Sequence, residues 1–318
     1  MVNDYLRYDT PEIQIVKCLT IVQVMNIESD SPARTLLPAL AELPGHLIWR
    51  ARARVVAALE DVLPDNVDIH GYAALLALAG GATRSQQALA RTVAVSGTTM
   101  MRVATDLADR GLVQRVRNPD DRRSYALTRT PEGAAAARTW RRYAEDLEES
   151  VTAGFTVRER EDLRTLLLLV AAGELDPDTP EPLRESIAFL ITRVQFRMHR
   201  DFQAALEPIG IDPAHFGVLA GLDGSGPLSQ SVLARAFGIS GAHLVQLVDD
   251  LERRGFVARR RLESDRRAQV VEVLPPGRDA MRKAAPLAER TAGERLAPLT
   301  AAQARRLVTL LQRLVTAP

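Results

Sequence analysis

Arginine supplies the most concentrated chemistry in this sequence, and it comes in two groups. Arg115, Arg117, Arg122 and Arg123 form the first; Arg259, Arg260, Arg261, Arg266 and Arg267 form the second. A guanidinium is planar, permanently charged and presents a fork of N–H donors, which matches phosphate oxygens and the O6 and N7 atoms of guanine. Each group follows a stretch that places small or polar side chains outward at helical spacing: Ser96, Thr98, Thr99 and Arg102, then Ser240, Ala242, His243 and Gln246. A solvated charged hairpin is the plain alternative. Clustering on one supersecondary element, beside a helix with small polar residues outward, favours phosphate and groove contacts.

Other chemistries lack their residues. His46, His70, His199, His215 and His243 show no metal-ligand spacing, so no metal is expected. Cys18 is the single cysteine, which excludes an intramolecular disulfide and a multi-thiolate site and fits a reducing, cytoplasmic compartment. Gly221 to Gly226 is glycine-rich, but it lacks the Lys-Ser/Thr ending of a phosphate loop and reads as a turn. No nucleophile–base arrangement or cofactor motif is present, so neither an enzyme nor a cofactor is expected. With 46% hydrophobic and 25% charged residues, the 318-residue chain can bury cores for about two domains. A net charge of +1 means that any basic surface must be local. Apolar runs near the start are interrupted by Glu12, Gln14, Lys17 and Gln23, and none approaches a membrane span.

The elements that would position the arginines emerge from an internal repeat at an offset of 144 residues. Over residues 96 to 133 it gives 14 identities in 38 positions, including Ser96/Ser240, Arg110/Arg254, Gly111/Gly255, Asp121/Asp265 and Gly133/Gly277. The register continues into the stripe Leu163, Leu166, Leu167 and Val170, matched by Leu307, Leu310, Leu311 and Leu314. Helical stripes open each copy, through Ile48, Ala51 and Val55 and through Ile187, Ile191 and Val194. The prolines of residues 176–182 forbid a continuous helix and mark a linker. The expected domains are 44–175 and 183–318, preceded by an extension, 1–43, without a counterpart.

Within each copy the order is helix, tight turn, capped helix and hairpin. Ser96 and Ser240 can cap the second helix, and Gly111 and Gly255 can end it in the left-handed conformation. Two β-compatible runs then flank a charged tip, 118–123 in the first copy and 263–267 in the second.

These strings resemble the signature of the MarR family of winged-helix regulators. Leu107-Ala-Asp-Arg-Gly-Leu-Val113, Asp121-Arg-Arg123 and Leu127-Thr-Arg-Thr-Pro-Glu-Gly133 carry the likeness in the first copy, and Leu251-Glu-Arg-Arg-Gly-Phe-Val257 with Asp265-Arg-Arg267 in the second. The resemblance implies a mainly α fold with small β wings: two winged helix-turn-helix domains joined by an all-helical, dimerisation-like region. It implies a sequence-specific, nucleoid-associated regulator, one chain standing for a family dimer, repressing until a small aromatic or drug-like effector releases it. The partner would be double-stranded DNA with an imperfectly palindromic operator, contacted by Ser96, Thr98, Thr99, Arg102, Arg115, Arg117, Arg122, Arg123, Ser240, His243, Gln246, Arg259, Arg261, Arg266 and Arg267. Asp121 would orient Arg123, and Asp265 would orient Arg267; structural ion pairing is the alternative. His46, Trp49, Tyr72, Phe196, His199 and Phe216 would line the effector pocket, with core aromatics as the simpler account of any one of them. A DNA-architectural protein without an effector, or a small-molecule carrier on a regulator fold, are the competing functions.

Overall fold

The computed structural model describes residues 36–118, 125–261 and 269–317. The wing tips and the first 35 residues, with Cys18, Asp121, Arg122, Arg123, Asp265, Arg266 and Arg267, lie outside the described residues. The helices are α1 (Pro38–Ala41), α2 (Pro44–Val62), α3 (Ile69–Ala77), α4 (Gln86–Thr92), α5 (Gly97–Asp109), α6 (Pro131–Val151) and α7 (Val157–Ala171). They continue as α8 (Glu181–Arg184), α9 (Ile187–Leu206), α10 (Pro213–Ser225), α11 (Gln230–Phe237), α12 (Gly241–Arg253), α13 (Pro275–Leu296) and α14 (Ala301–Thr316). Among the described residues there are also two three-stranded antiparallel sheets: β1 (Thr83–Arg84), β2 (Val113–Arg117) and β3 (Tyr125–Arg129), then β4 (Leu228–Ser229), β5 (Val257–Arg261) and β6 (Gln269–Val273). The third strand is central in each, in the orders β1-β3-β2 and β4-β6-β5. This is the expected fold class, mostly helical with small wings; the two-residue strands β1 and β4 are too short to leave a period-two pattern.

The 144-residue register is written into the caps. Ser85 and Ser229 accept the backbone N–H bonds that open α4 and α11, and Ser96 and Ser240 do the same for α5 and α12. Thr156 with Glu159, and Thr300 with Gln303, form matching capping boxes at α7 and α14. Between α4 and α5 the turn passes through Ala94 at φ 60°, and between α11 and α12 through Gly238 at φ 63°. Both copies therefore need the left-handed conformation there, and only the second has the residue that adopts it freely. Gly133 and Gly277 sit where a Cβ would collide with the carbonyl of Leu112 or Phe256, which explains why the repeat keeps glycine at the start of α6 and α13.

Two compact units result. The first comprises the described residues within 59–148 and 174–185, and the second those within 36–58, 149–173 and 186–317. In the first, Leu75, Leu89, Met100, Leu107 and Leu127 are fully buried, so α3, α4, α5 and the sheet share one core. Residues 176–182 belong to this unit: the Thr179 hydroxyl donates to the Thr92 carbonyl at 3.1 Å, Arg84 pairs with Asp178 at 2.7 Å, and Arg184 donates to the carbonyls of Thr179, Asp176 and Pro177. In the second, Leu219, Leu233, Leu244, Val248 and Val271 centre the core of the winged helix. Leu163, Leu167, Leu190, Leu310 and Leu311 seal the helices around it. Asp162 on α7 meets Arg306 on α14 at 2.8 Å. Those positions are each other's counterparts in the repeat.

Candidate nucleic-acid interface and adjoining cavity

Helix α5 buries Met100, Val103, Ala104 and Leu107 and exposes Gly97, Thr98, Met101, Arg102, Thr105 and Asp109. Helix α12 buries Leu244, Val248 and Leu251 and exposes Gly241, Ala242, Val245, Gln246, Asp249 and Arg253. The two exposed stripes occupy identical positions of the repeat, and each stands beside its wing.

The residues singled out from sequence do not all join these stripes. Thr98, Arg102 and Gln246 do. Ser96 and Ser240 are spent on capping, and Thr99 is half-buried, its hydroxyl sharing a 2.8 Å hydrogen bond with the Ser96 hydroxyl. The Arg102 guanidinium donates to Asp68, the N-cap of α3, at 3.0 Å, yet it stays 66% exposed, so the pair is weak and open to competition. Arg115 and Arg117 are exposed on β2, and Arg117 lies 4.8 Å over the ring of Tyr125, its cross-strand partner.

The second wing is electrostatically different. Arg259, the counterpart of Arg115, is only 17% exposed and is held by Asp249 and Glu252, each at 2.5 Å. In the first copy Thr105 and Ala108 stand at those two positions, and Arg115 has no ion pair among the described residues. Arg260 pairs with Glu272 at 3.2 Å, which leaves Arg261 as the exposed wing cation without an ion pair there among the described residues.

His243 turns away from the stripe. It is half-buried, and with His46, Trp49, His199, Phe216 and Leu247 it lines a cavity of about 410 Å³ inside the second unit. Trp49 stacks on His199 at 6.2 Å, and His46 meets the edge of Phe237 at 5.4 Å. Burial, reinforced by the nearby Arg50 charge, pushes His46 down to about 3, and burial also lowers His199 and His243. All three imidazoles are therefore neutral at pH 7. The Nε2 atom of His46 is buried without a hydrogen-bond partner among the described residues. The Arg50 guanidinium lies behind it, itself buried and bonded to the carbonyl of Ala236 near the end of α11. Of the expected pocket residues, Tyr72 is buried in the first unit and Phe196 stands beside Arg193; neither lines this cavity. Gln195, Phe202 and Phe237 also line it without having been singled out; Gln195 and Phe202 share α9 with His199, and Phe237 comes from α11. Among the described residues no His/Cys/Asp/Glu group could hold a metal, and no single helix is long and apolar enough to cross a membrane.

A capped second helix with a solvent-facing stripe, beside a three-stranded wing, defines a winged-helix DNA-binding unit, and here it occurs twice. The sequence profile of the MarR family matches residues 69–124 and again 209–268. A protein named as a transcriptional regulatory protein for the hcr operon of Thauera aromatica is 30% identical over 129 residues, which span 40% of this chain and 78% of that one. Among solved structures, CouR of Rhodococcus jostii RHA1 bound to p-coumaroyl-CoA is 26% identical with a TM-score of 0.41, covering 43% of this chain and 96% of its own. The repressor CouR bound to a 23-mer DNA duplex is 31% identical with a TM-score of 0.37, covering 39% and 88%. The chain belongs to the MarR family and is a DNA-binding transcription regulator that carries the family's DNA-binding unit in duplicate.

Proposed function

We propose that this regulator is a repressor in which one chain does the work of a family dimer, occupying both half-sites of an operator, and that a small aromatic molecule in the cavity of the second unit releases it. The observation that carries the first part is the Asp162–Arg306 pair. In a two-fold dimer a residue near the axis meets the other subunit's copy of itself or of a close neighbour. A contact between positions 144 apart, in a chain whose repeat is 144, is the covalent equivalent. The wall of the cavity supports the second part: His243 and Leu247 belong to α12, whose opposite side is the exposed stripe, so an occupant would touch the DNA-reading helix directly. The cavity's few polar groups among aromatic and aliphatic walls suit an aromatic ligand with one or two hydrogen-bonding groups.

On this reading Thr98, Arg102, Arg115 and Arg117 serve one half-site and Gln246 and Arg261 the other, joined by Arg122, Arg123, Arg266 and Arg267 of the wing tips. Asp121 and Asp265 would brace the tip arginines. Half-sites of paired recognition helices lie about one helical turn, ~10 bp, apart. Sites selected from random duplexes, followed by sedimentation of the complex, should give one chain per two-half-site duplex. Small aromatic compounds that change Trp49 fluorescence should also dissociate the complex. An obligatory two chains on a minimal site would refute the single-chain dimer, and ligands that bind without loosening DNA would refute the release mechanism.

A further inference from the structure

Among the described residues, five large hydrophobic side chains are exposed: Met101, Tyr125, Val157, Leu169 and Val245. Met101 and Val245 are counterparts in the repeat, 56% and 39% exposed, in the middle of the stripes of α5 and α12. Each is flanked on the exposed stripe by small or polar residues, Thr98 and Arg102 beside Met101 and Ala242 and Gln246 beside Val245. The stripe is otherwise small, polar or charged, so an apolar side chain at its centre in both copies calls for an apolar partner on the DNA. The major groove offers one such group, the C5-methyl of thymine.

We propose that Met101 and Val245 read thymine through its C5-methyl group, one in each half-site. The inference rests on α5 and α12 being the recognition helices of this DNA-binding protein. Methionine's unbranched, polarisable chain can follow a methyl over a range of positions, whereas valine is short and fixed at χ1. The thymine facing Val245 is therefore the more strictly placed of the two. Both side chains project into solvent, so truncating them leaves the cores intact.

The test uses the full chain and its selected operator. Each thymine is replaced in turn by deoxyuridine, which keeps every hydrogen-bonding atom and loses only the methyl. One thymine in each half-site should weaken binding about fourfold on replacement, the factor that burial of one methyl-sized group provides. Met101→Ala should abolish that sensitivity in one half-site and Val245→Ala in the other, while Met101→Leu and Val245→Ile should retain it. Sensitivity that persists in both alanine variants, or a selected operator in which no thymine responds, overturns the proposal. A chain that selects no sequence at all would overturn the recognition-helix assignment beneath it, and that result is distinct from a selected site blind to the methyl.

Discussion

Freeing Arg259 should convert the second wing into a stronger DNA-binding element than evolution has left it. The perturbation is the double substitution Asp249→Thr and Glu252→Gln. The first installs the residue that stands at the matching position of α5. The second removes charge but keeps the side-chain oxygen that accepts the Arg259 backbone N–H at 3.0 Å. In the wild type the Arg259 guanidinium is committed to two carboxylates at 2.5 Å, so it contributes little net charge to a phosphate. Once released, it can make one phosphate contact, as Arg115 is free to do, and each such contact adds about 0.9 to the slope of log affinity against log salt. Over a fourfold change in salt, from roughly 50 to 200 mM, that is a factor of about 3.5 in affinity. Fluorescence anisotropy on a fixed duplex across a salt series measures both quantities. Arg115→Ala should flatten the wild-type slope, Arg259→Ala should barely alter it, and Arg259→Ala in the double-substituted background should erase the gain. If Arg259→Ala and Arg115→Ala flatten the wild-type slope equally, the two carboxylates do not neutralise Arg259 and the reasoning fails.

Ala94→Gly should stabilise the first unit by about 0.5–1 kcal/mol, since it relieves a left-handed alanine at φ 60°, whereas Gly238→Ala should destabilise the second by about 1–2 kcal/mol; urea unfolding of the two variants must move in opposite directions. The added methyl at 238 would also lie 3.2 Å from the Arg50 side chain. Because His46 falls from 6.5 to about 3 on folding, the unfolded chain takes up the proton first as pH drops, so stability is lost from about pH 6.5 downward, by about 2 kcal/mol at pH 5. Thermal melts at pH 7.5 and 5 should differ by less in His46→Gln than in wild type, and an equal difference would show that His46 is not the group responsible.

What the sequence made legible was whatever depends on neighbours along the chain. Ser96, Ser240, Gly111 and Gly255 act within one turn of a helix, and so they announced the ends of α5 and α12; both glycines indeed sit at φ 69°. The face of the reading helix was legible only in part. Polarity drew attention to Thr99 and His243, but a threonine hydroxyl can be satisfied by a neighbouring cap, and a neutral imidazole can be buried, so both turn inward. Met101 and Val245 were passed over for the converse reason, being apolar and yet exposed. The clamp on Arg259 joins β5 to α12, and the cavity gathers side chains from α2, α9, α10, α11, α12 and α13. Neither leaves any periodicity to find. Arg50 shows the limit most plainly: an arginine on an apolar helix face reads as solvent-exposed, but the carbonyl of Ala236, far along the chain, makes its burial tolerable.

The way the second unit is threaded has a consequence for how the protein is made. Its early segment, 36–58, is separated from the rest by ninety residues that fold into the first unit. Its contacts reach to the far end of the described chain: Gln312 donates to the carbonyl of Ala41 at 2.9 Å, and Arg54 donates to that of Ala317 at 3.0 Å. On a translating ribosome the first winged helix can therefore finish and hold its shape while residues 36–58 wait with an apolar face uncovered. Only synthesis of α14 supplies their last partners. Pairings that distant in sequence form slowly, and a nascent chain that exposes such a face is open to chaperones and to aggregation. Yield in the cell should then respond more to substitutions at Gln312 or Leu314 than to equally buried ones in the first unit, even where purified variants melt alike.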